Sequence, residues 1–147
     1  MGTKEITFTV IGEPKGKGRP RFRNLGKFVQ TYTDKDTVNY ENLVKMSYRT
    51  KCQQMMFLAD EMVECEINAF YSIPKATSKK KHQLMLDRIL RPTKKPDLDN
   101  LQKSLFDGLN KVAFQDDTQI VSIVCNKYYS DSPRVEITLR GVGTPNE

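Results

Sequence analysis

Apolar and polar residues alternate along 5–11, where Ile6, Phe8 and Val10 are separated by Thr7 and Thr9, and that period of two predicts a strand. Gly12, Pro14, Gly16, Gly18 and Pro20 break the pattern into a basic loop. Residues 27–32 predict a second strand that returns as a hairpin on the first. Thr33 followed by Asp36 has capping-box spacing, with Asp in place of Glu or Gln, and predicts a helix to about residue 58. Its stripe of Tyr40, Leu43, Val44, Tyr48, Cys52, Met55 and Met56 has helical spacing and belongs to the core. Along 62–71, Val63, Cys65, Ile67, Ala69 and Tyr71 face one way and Glu64, Glu66 and Asn68 the other, a half-buried strand.

Thr77 or Ser78 caps a short helix through about residue 90, with Leu84, Met85 and Ile89 inward. A proline-bounded linker, 91–96, leads to a second stripe, Leu98, Leu101, Leu105, Leu109 and Val112, which predicts another helix. Two strands, 120–129 and 134–140, close the chain as a hairpin across the Asp131-Ser132-Pro133 turn, with a frayed tail from 141. The predicted fold class is mixed α/β (α+β): one small domain over 1–147, mainly an antiparallel sheet with packed helices.

Charge changes the picture more than composition does. The 147 residues are 37% hydrophobic and 29% charged, ordinary values for a globular domain. No run is apolar enough to cross a bilayer and the start lacks a signal-peptide pattern, so a cytoplasmic protein is expected. Cys52, Cys65 and Cys125 have no metal-ligand spacing and read as reduced thiols. The net charge is +6, but residues 14–28 hold Lys15, Lys17, Arg19, Arg21, Arg23 and Lys27 with no acid. Residues 75–95 hold eight cations, among them Lys79, Lys80, Lys81, Lys94 and Lys95, against Asp87 alone. The two tracts carry +13, leaving −7 on the rest. Such segregation is the footprint of a nucleic-acid surface; solvated mobile loops are the bland alternative, and an anionic membrane is a weaker one. Lysines 79–81 sit in a helix's first turn, where the dipole disfavours them, so helix stability did not select them. Phe22 and Phe28 either stack on bases or anchor the loop, the commoner use. His82, the single histidine, reads as solvated or phosphate-contacting.

Acid concentrates in 96–120, PDLDNLQKSLFDGLNKVAFQDDTQI. Asp97 is placed as the helix N-cap, or just before it, and Asp99 lies in the first turn; Asp116 and Asp117 lead into the next strand, and Asp117 returns to the same point if that strand packs beside the helix. Each piece alone is an ordinary cap or turn. Together they are costly: two carboxylates about 6 Å apart repel by roughly 3 kcal/mol at an effective dielectric near 20. A helix N-terminus offsets only about 0.3–1 kcal/mol per charge. Converging carboxylates therefore call for a cation, and hard oxygen ligands favour Mg²⁺ or Mn²⁺ over zinc. Lys103 lies four residues after Asp99 and four before Asp107. It is either the middle of an ion-pair ladder or a cation aimed at a phosphate, and the sequence leaves these two readings even.

The stretch PDLDNLQKSLFDGL followed by DDTQI resembles the core motif of the RusA-type endonucleases, a family of Holliday-junction resolvases with phage and prophage members. The early PKGKGRPRF, then YTD and YE, is similar too, so the likeness runs from Pro14 to about Val124. The resemblance implies a RusA-like fold and metal-binding catalytic aspartates at Asp97, Asp99 and Asp117. It implies a functional lysine at Lys103, with supporting roles for Asp107 and Asp116. It also implies a homodimer that makes paired nicks in branched DNA with Mg²⁺ or Mn²⁺, in the cytoplasm of a bacterial host. The expected activity is metal-dependent cleavage of four-way DNA junctions, with phosphate contacts from Lys15, Lys17, Arg19, Arg21, Arg23, Lys79, Lys80, Lys81, Lys94 and Lys95. Two alternatives stand beside it: a non-catalytic DNA-binding module, and a nuclease for flaps or forks.

Overall fold

The computed structural model describes residues 4–18 and 21–143. Its elements are β1 (Glu5–Ile11), β2 (Arg21–Asn24), β3 (Val29–Tyr32), α1 (Lys35–Cys52), β4 (Met62–Ser72), α2 (Lys79–Leu86), α3 (Leu98–Leu109), a 3-10 turn (Asp117–Gln119), β5 (Ile120–Ser130) and β6 (Arg134–Val142). Together they form a small mixed α/β domain.

The main sheet has four strands in the order β1-β6-β4-β5. It is mixed: β6 pairs antiparallel with both β1 and β4, whereas β5 runs parallel to β4. The expected closing hairpin is therefore not made, because residues 131–133 step over the end of β4 and β6 inserts between β4 and β1. The reason lies in β4, whose Val63, Cys65, Ile67, Ala69 and Tyr71 are all buried and need neighbours on both sides. A strand as apolar on one face as β4 belongs at the centre, and the parallel return to β5 needs a crossover long enough to carry α2 and α3.

One face of the sheet is covered by α1 and α3. Tyr40, Val44 and Tyr48 from α1 and Leu101, Leu105 and Leu109 from α3 close over Phe8, Val10, Ile67, Ile137 and Leu139. The two helices approach closely at Gly108, where an added Cβ would stand 2.9 Å from Val44 Cβ and 3.0 Å from the Glu41 carbonyl.

Several expected boundaries move. β3 does not return on β1; it pairs with β2 in a separate two-stranded sheet, because β1 is already paired with β6. That hairpin is exposed throughout, turning at Gly26 with φ 81°. The anticipated capping box is absent: the α1 N-cap is Asp34, whose carboxylate accepts from Arg21 Nε at 3.0 Å instead of from the helix backbone. α1 stops at Cys52, where Gln53 turns to φ 57° and donates its N–H to the Arg49 carbonyl at 2.8 Å. After α2, Ile89 is 67% exposed, so only Met85 of its predicted inward residues is fully buried. Leu98, predicted to open the α3 stripe, is also exposed. The chain is not frayed at 141: Gly141 donates to the Lys4 carbonyl at 2.7 Å within β6, and residues 144–147 lie outside the described residues. No helix among the described residues is long and apolar enough to cross a membrane.

Candidate active site

Asp97 is the α3 N-cap, with φ −75° and ψ 168°, and its Oδ1 accepts the Asn100 N–H at 3.0 Å. Asp99 follows in the first turn, 3.9 Å from Lys103 Nζ. Both carboxylates are exposed and share one helix end. The backbone leading to them is pinned from β4 and β5. Tyr71 Oη donates to the Pro96 carbonyl at 2.6 Å, and Lys127 Nζ donates to the Lys94 carbonyl at 2.5 Å. Lys127 also stands 5.1 Å from the Tyr71 ring centroid. Partial burial pulls the Lys127 ammonium below its ordinary pKa, against the opposing pull of the Asp97 charge.

A second wall comes from the glycine-rich segment after β1. Lys17 N–H donates to the Asn100 carbonyl at 3.1 Å, and Ser104 Oγ donates to the Lys15 carbonyl at 2.7 Å. Gly16 is required for this approach, since a Cβ there would lie 2.9 Å from Pro96 Cβ and 3.0 Å from Asn100 Cβ. Between the walls is an open cleft of about 540 Å³, lined by Lys15, Gly16, Lys17, Lys95, Asp97 and Asn100.

Asp117 is elsewhere. α3 and β5 run in opposite directions: Asp97 faces Lys127, Gln102 bonds Cys125, and Asp107 faces Asp117. The ten residues from Asp97 to Asp107 span about 15 Å of helix, and the β5 residues between the two ends span about 23 Å. Oxygens sharing one Mg²⁺ stand no more than about 4 Å apart. Within one chain, then, Asp117 does not return to the Asp97 end. Among the described residues no three His, Cys, Asp or Glu side chains form a group able to hold a metal. The donor chemistry of Asp97 and Asp99, exposed carboxylates with no histidine or thiolate beside them, fits a hard cation; the number of donors that one chain brings together does not close a site.

At the far end of α3 three carboxylates, Asp107, Asp116 and Asp117, influence one another. Burial, then the Asp116 and Asp107 charges, hold the Asp117 carboxyl above its ordinary pKa. Asp116 is a capping residue: the Thr118 hydroxyl first, and then the Thr118 N–H that it accepts at 3.2 Å, hold its carboxyl below the ordinary range. Asp107 does not continue a ladder from Lys103. It pairs with Lys17 at 2.8 Å, and Lys17 also holds Glu41 at 2.7 Å. Burial works against the Lys17 ammonium, but Asp107 and Glu41 outweigh it and raise its pKa. Lys17 thus ties the glycine-rich segment to α1 and α3 with the same charge the sequence assigns to DNA.

The other expected DNA contacts divide. Lys15 and Lys95 line the cleft. Lys79, Lys80 and Lys81 are exposed in an α2 first turn with no acid of its own. Lys94 lies 5.9 Å from the Tyr129 ring centroid. Arg21 is paired with Asp34, and Arg23 stacks 5.2 Å from the Tyr32 ring centroid in the exposed hairpin. Arg19 lies outside the described residues. Phe22 and Phe28 anchor nothing, being 70% and 67% exposed. His82 has a partner the sequence did not reveal, Asp131 at 3.2 Å. Sequence reasoning also missed Lys127 and Tyr71. The available signal was parity: Lys127 falls on the same strand face as Ile123 and Cys125, an odd place for a lysine without a task.

A carboxylate pair at a helix start, with Asp97 in a lysine-lined cleft, suits a protein that handles phosphodiesters. The comparison with known families agrees. Residues 12–140 match the family endodeoxyribonuclease RusA, and the chain belongs to that family. The match extends beyond the motif region into β6. The chain is also 37% identical over 143 residues to the uncharacterized protein YqaN of Bacillus subtilis (strain 168), covering 93% of this chain and 96% of that protein.

Proposed function

We propose that this single domain, 1–147, is a metal-dependent endodeoxyribonuclease that resolves four-way DNA junctions by paired nicks. The observation that carries the reading is Asp97 on a pinned backbone in a cationic cleft, with Asp99 two residues on at the same helix start, in a chain of the RusA family. Asp97, Asp99 and Asp117 would hold Mg²⁺ or Mn²⁺, which supplies an activated water and charge neutralisation at the phosphoryl oxygens. Tyr71 and Lys127 fix Asp97. Lys15 and Lys95 draw the strand into the cleft, and Lys103 adds positive charge beside Asp99. Asp107 and Asp116 support these parts through Lys17 and the 3-10 turn.

A homodimer completes the reading, because the two ends of α3 do not meet in one chain. β5 is an edge strand with Val121 57%, Ile123 40% and Val124 52% exposed, an edge that invites pairing. A two-fold axis at Ile123 would set β5 against its copy antiparallel, with Lys127 opposite Gln119 of the partner subunit. The Asp97 and Asp99 end of each copy then meets the Asp117 end of the other. Such a two-fold dimer suits a two-fold junction, in the cytoplasm of a bacterium or its phage.

The test is cleavage of four-way, flap, fork and linear duplexes with Mg²⁺ or Mn²⁺. Junctions are cut in preference, and Asp97→Asn and Asp99→Asn abolish cutting. Preference for flaps or forks would reassign the substrate. The capping roles of Asp97 and Asp116 support a second reading, a non-catalytic DNA-binding module in which the carboxylates serve as caps and turns. Calorimetry with Mn²⁺ that gives no heat, beside salt-sensitive DNA binding and no nicks, would establish it.

A further inference from the structure

At the end of the sheet away from Asp117, Phe70 of β4 lies between Tyr128 of β5 and Arg134 of β6 in one cross-strand row. The Phe70 and Tyr128 ring centroids are 5.5 Å apart. Three guanidinium groups cover these two rings. Arg134 is 4.0 Å from the Phe70 centroid, Arg91 is 4.6 Å from that of Tyr128, and Arg88 is 4.7 Å from Tyr128 and 5.6 Å from Phe70. Shielding Phe70, which is only 4% exposed, does not need three charges.

The three are held differently. Arg91 is anchored by the Lys127 carbonyl at 2.8 Å and Asn126 Oδ1 at 3.1 Å. Arg134 donates to the Ser132 carbonyl at 2.8 Å and lies 3.5 Å from Glu136. The Arg88 side chain has no hydrogen-bond or ion-pair partner among the described residues, while its backbone N–H donates to the Met85 carbonyl at 3.1 Å. It also occupies the left-handed turn after α2, at φ 63°, where glycine is the usual residue because a Cβ is disfavoured there. An unpaired arginine in a disfavoured backbone state, among two others, is poorly explained by stability. Its rings are already covered, so they offer no open platform for a base. What remains outward is the guanidinium donors, which suit phosphate oxygens.

We propose that Arg88, Arg91 and Arg134, stacked on Phe70 and Tyr128, seat the phosphate backbone of a DNA arm leaving the Asp97 cleft. Lys127, beside Asp97, and Tyr128 point to opposite faces of the edge strand β5, and Arg91, held by the Lys127 carbonyl, links the two faces around that edge. This inference rests on the proposed nuclease function, since it takes the cleft as the point from which the arm departs.

The test is fluorescence anisotropy of the full chain with a labelled four-way junction in EDTA, titrated with salt, together with cleavage in Mg²⁺. Arg88→Gln should weaken junction binding about fivefold near 0.1 M salt and reduce the slope of log K against log salt by about one. Arg88→Lys should restore the slope. A linear duplex should show the same loss, and Arg49→Gln, a cation at the far end of α1, should show none. Arg88→Gly, which suits the left-handed turn, repeats the measurement if the glutamine variant folds poorly. Unchanged affinity and slope in a variant that melts like the parent overturns the proposal, as does a loss confined to single strands, which would mean base contact. If the parent binds DNA but cuts none of the substrates, the nuclease reading falls and the anisotropy still decides the arm site. If the parent does not bind DNA, both fall.

Discussion

The sharpest consequence of the α3 geometry concerns mixed dimers. Asp97 and Asp107 are ten residues apart on one helix, about 15 Å along its axis, and Asp117 sits beside Asp107. An aspartate side chain is too short to bridge that gap, so a metal site using both ends must draw them from two copies. Consider coexpression of Asp97→Asn chains with Asp117→Asn chains under different tags. Each homodimer is dead at both sites. In the mixed dimer, one site carries both lesions and the other carries neither. With random pairing, half of the dimers are mixed and each has one whole site, so nicking recovers to about a quarter of the parental value for a symmetric dimer. The product also changes, to single nicks in place of resolved duplexes. Asp97→Asn mixed with Asp99→Asn is the control, because those lesions share one end and no whole site results. Tandem affinity isolation of the mixed species, followed by a gel of a labelled junction, reads both quantities. If purified mixed dimers nick no faster than either homodimer while the parent is active, the two-copy site is refuted.

The remaining predictions concern the supports of that site. Tyr71→Phe removes the donor to the buried side of the Pro96 carbonyl and should lower unfolding free energy by about 1 kcal/mol, read by urea denaturation; an unchanged midpoint would mean that water replaces the hydroxyl without loss. Lys127→Met should lower kcat about tenfold, or about 1.4 kcal/mol, with KM near the parent value, since it frees the backbone before Asp97; a change in KM alone would show a DNA contact instead. Gly108→Ala pushes α3 off α1 and should cost about 1–3 kcal/mol, checked by thermal melting. For Asp117, a folded-state pKa above the ordinary value means that ionisation favours the unfolded chain. The penalty is absent below the ordinary carboxylate pKa, grows as pH rises through the folded value, and is complete at neutral pH. Asp117→Asn should therefore raise Tm at neutral pH without metal and leave it unchanged near about pH 3; a lower Tm at neutral pH refutes this.

Strands and helices were legible wherever one face is buried. β1, β4, α3 and β6 follow their apolar periods closely because the core enforces them. Pairing was not legible. Nothing in the alternation of 134–140 says that it lies beside 62–71 and not beside 120–129, since both partners offer similar apolar faces. The β2 strand was hidden because its residues are all exposed and carry no period. At the site, Asp97 was readable as an N-cap from its place before the leucine stripe. The distance to Asp117 was not, because it depends on α3 running against β5. Lys17 illustrates the same limit: a lysine in a basic tract looks like a DNA contact until Glu41 and Asp107 are found around it.

The last strand of the chain is the sheet's second, between β1 and β4. On a ribosome, β1 emerges first and waits for β6 through more than a hundred residues of synthesis, with its pairing edge unfilled. Tyr71 on β4 and Lys127 on β5 grip the Asp97 junction only when those strands are seated, and β4 lacks one of its two neighbours until β6 arrives. A nascent chain therefore exposes the basic tracts early and assembles the acidic site late. The surface charge is thus in place before the carboxylate junction is, and that junction is fully gripped only once β6 has been seated.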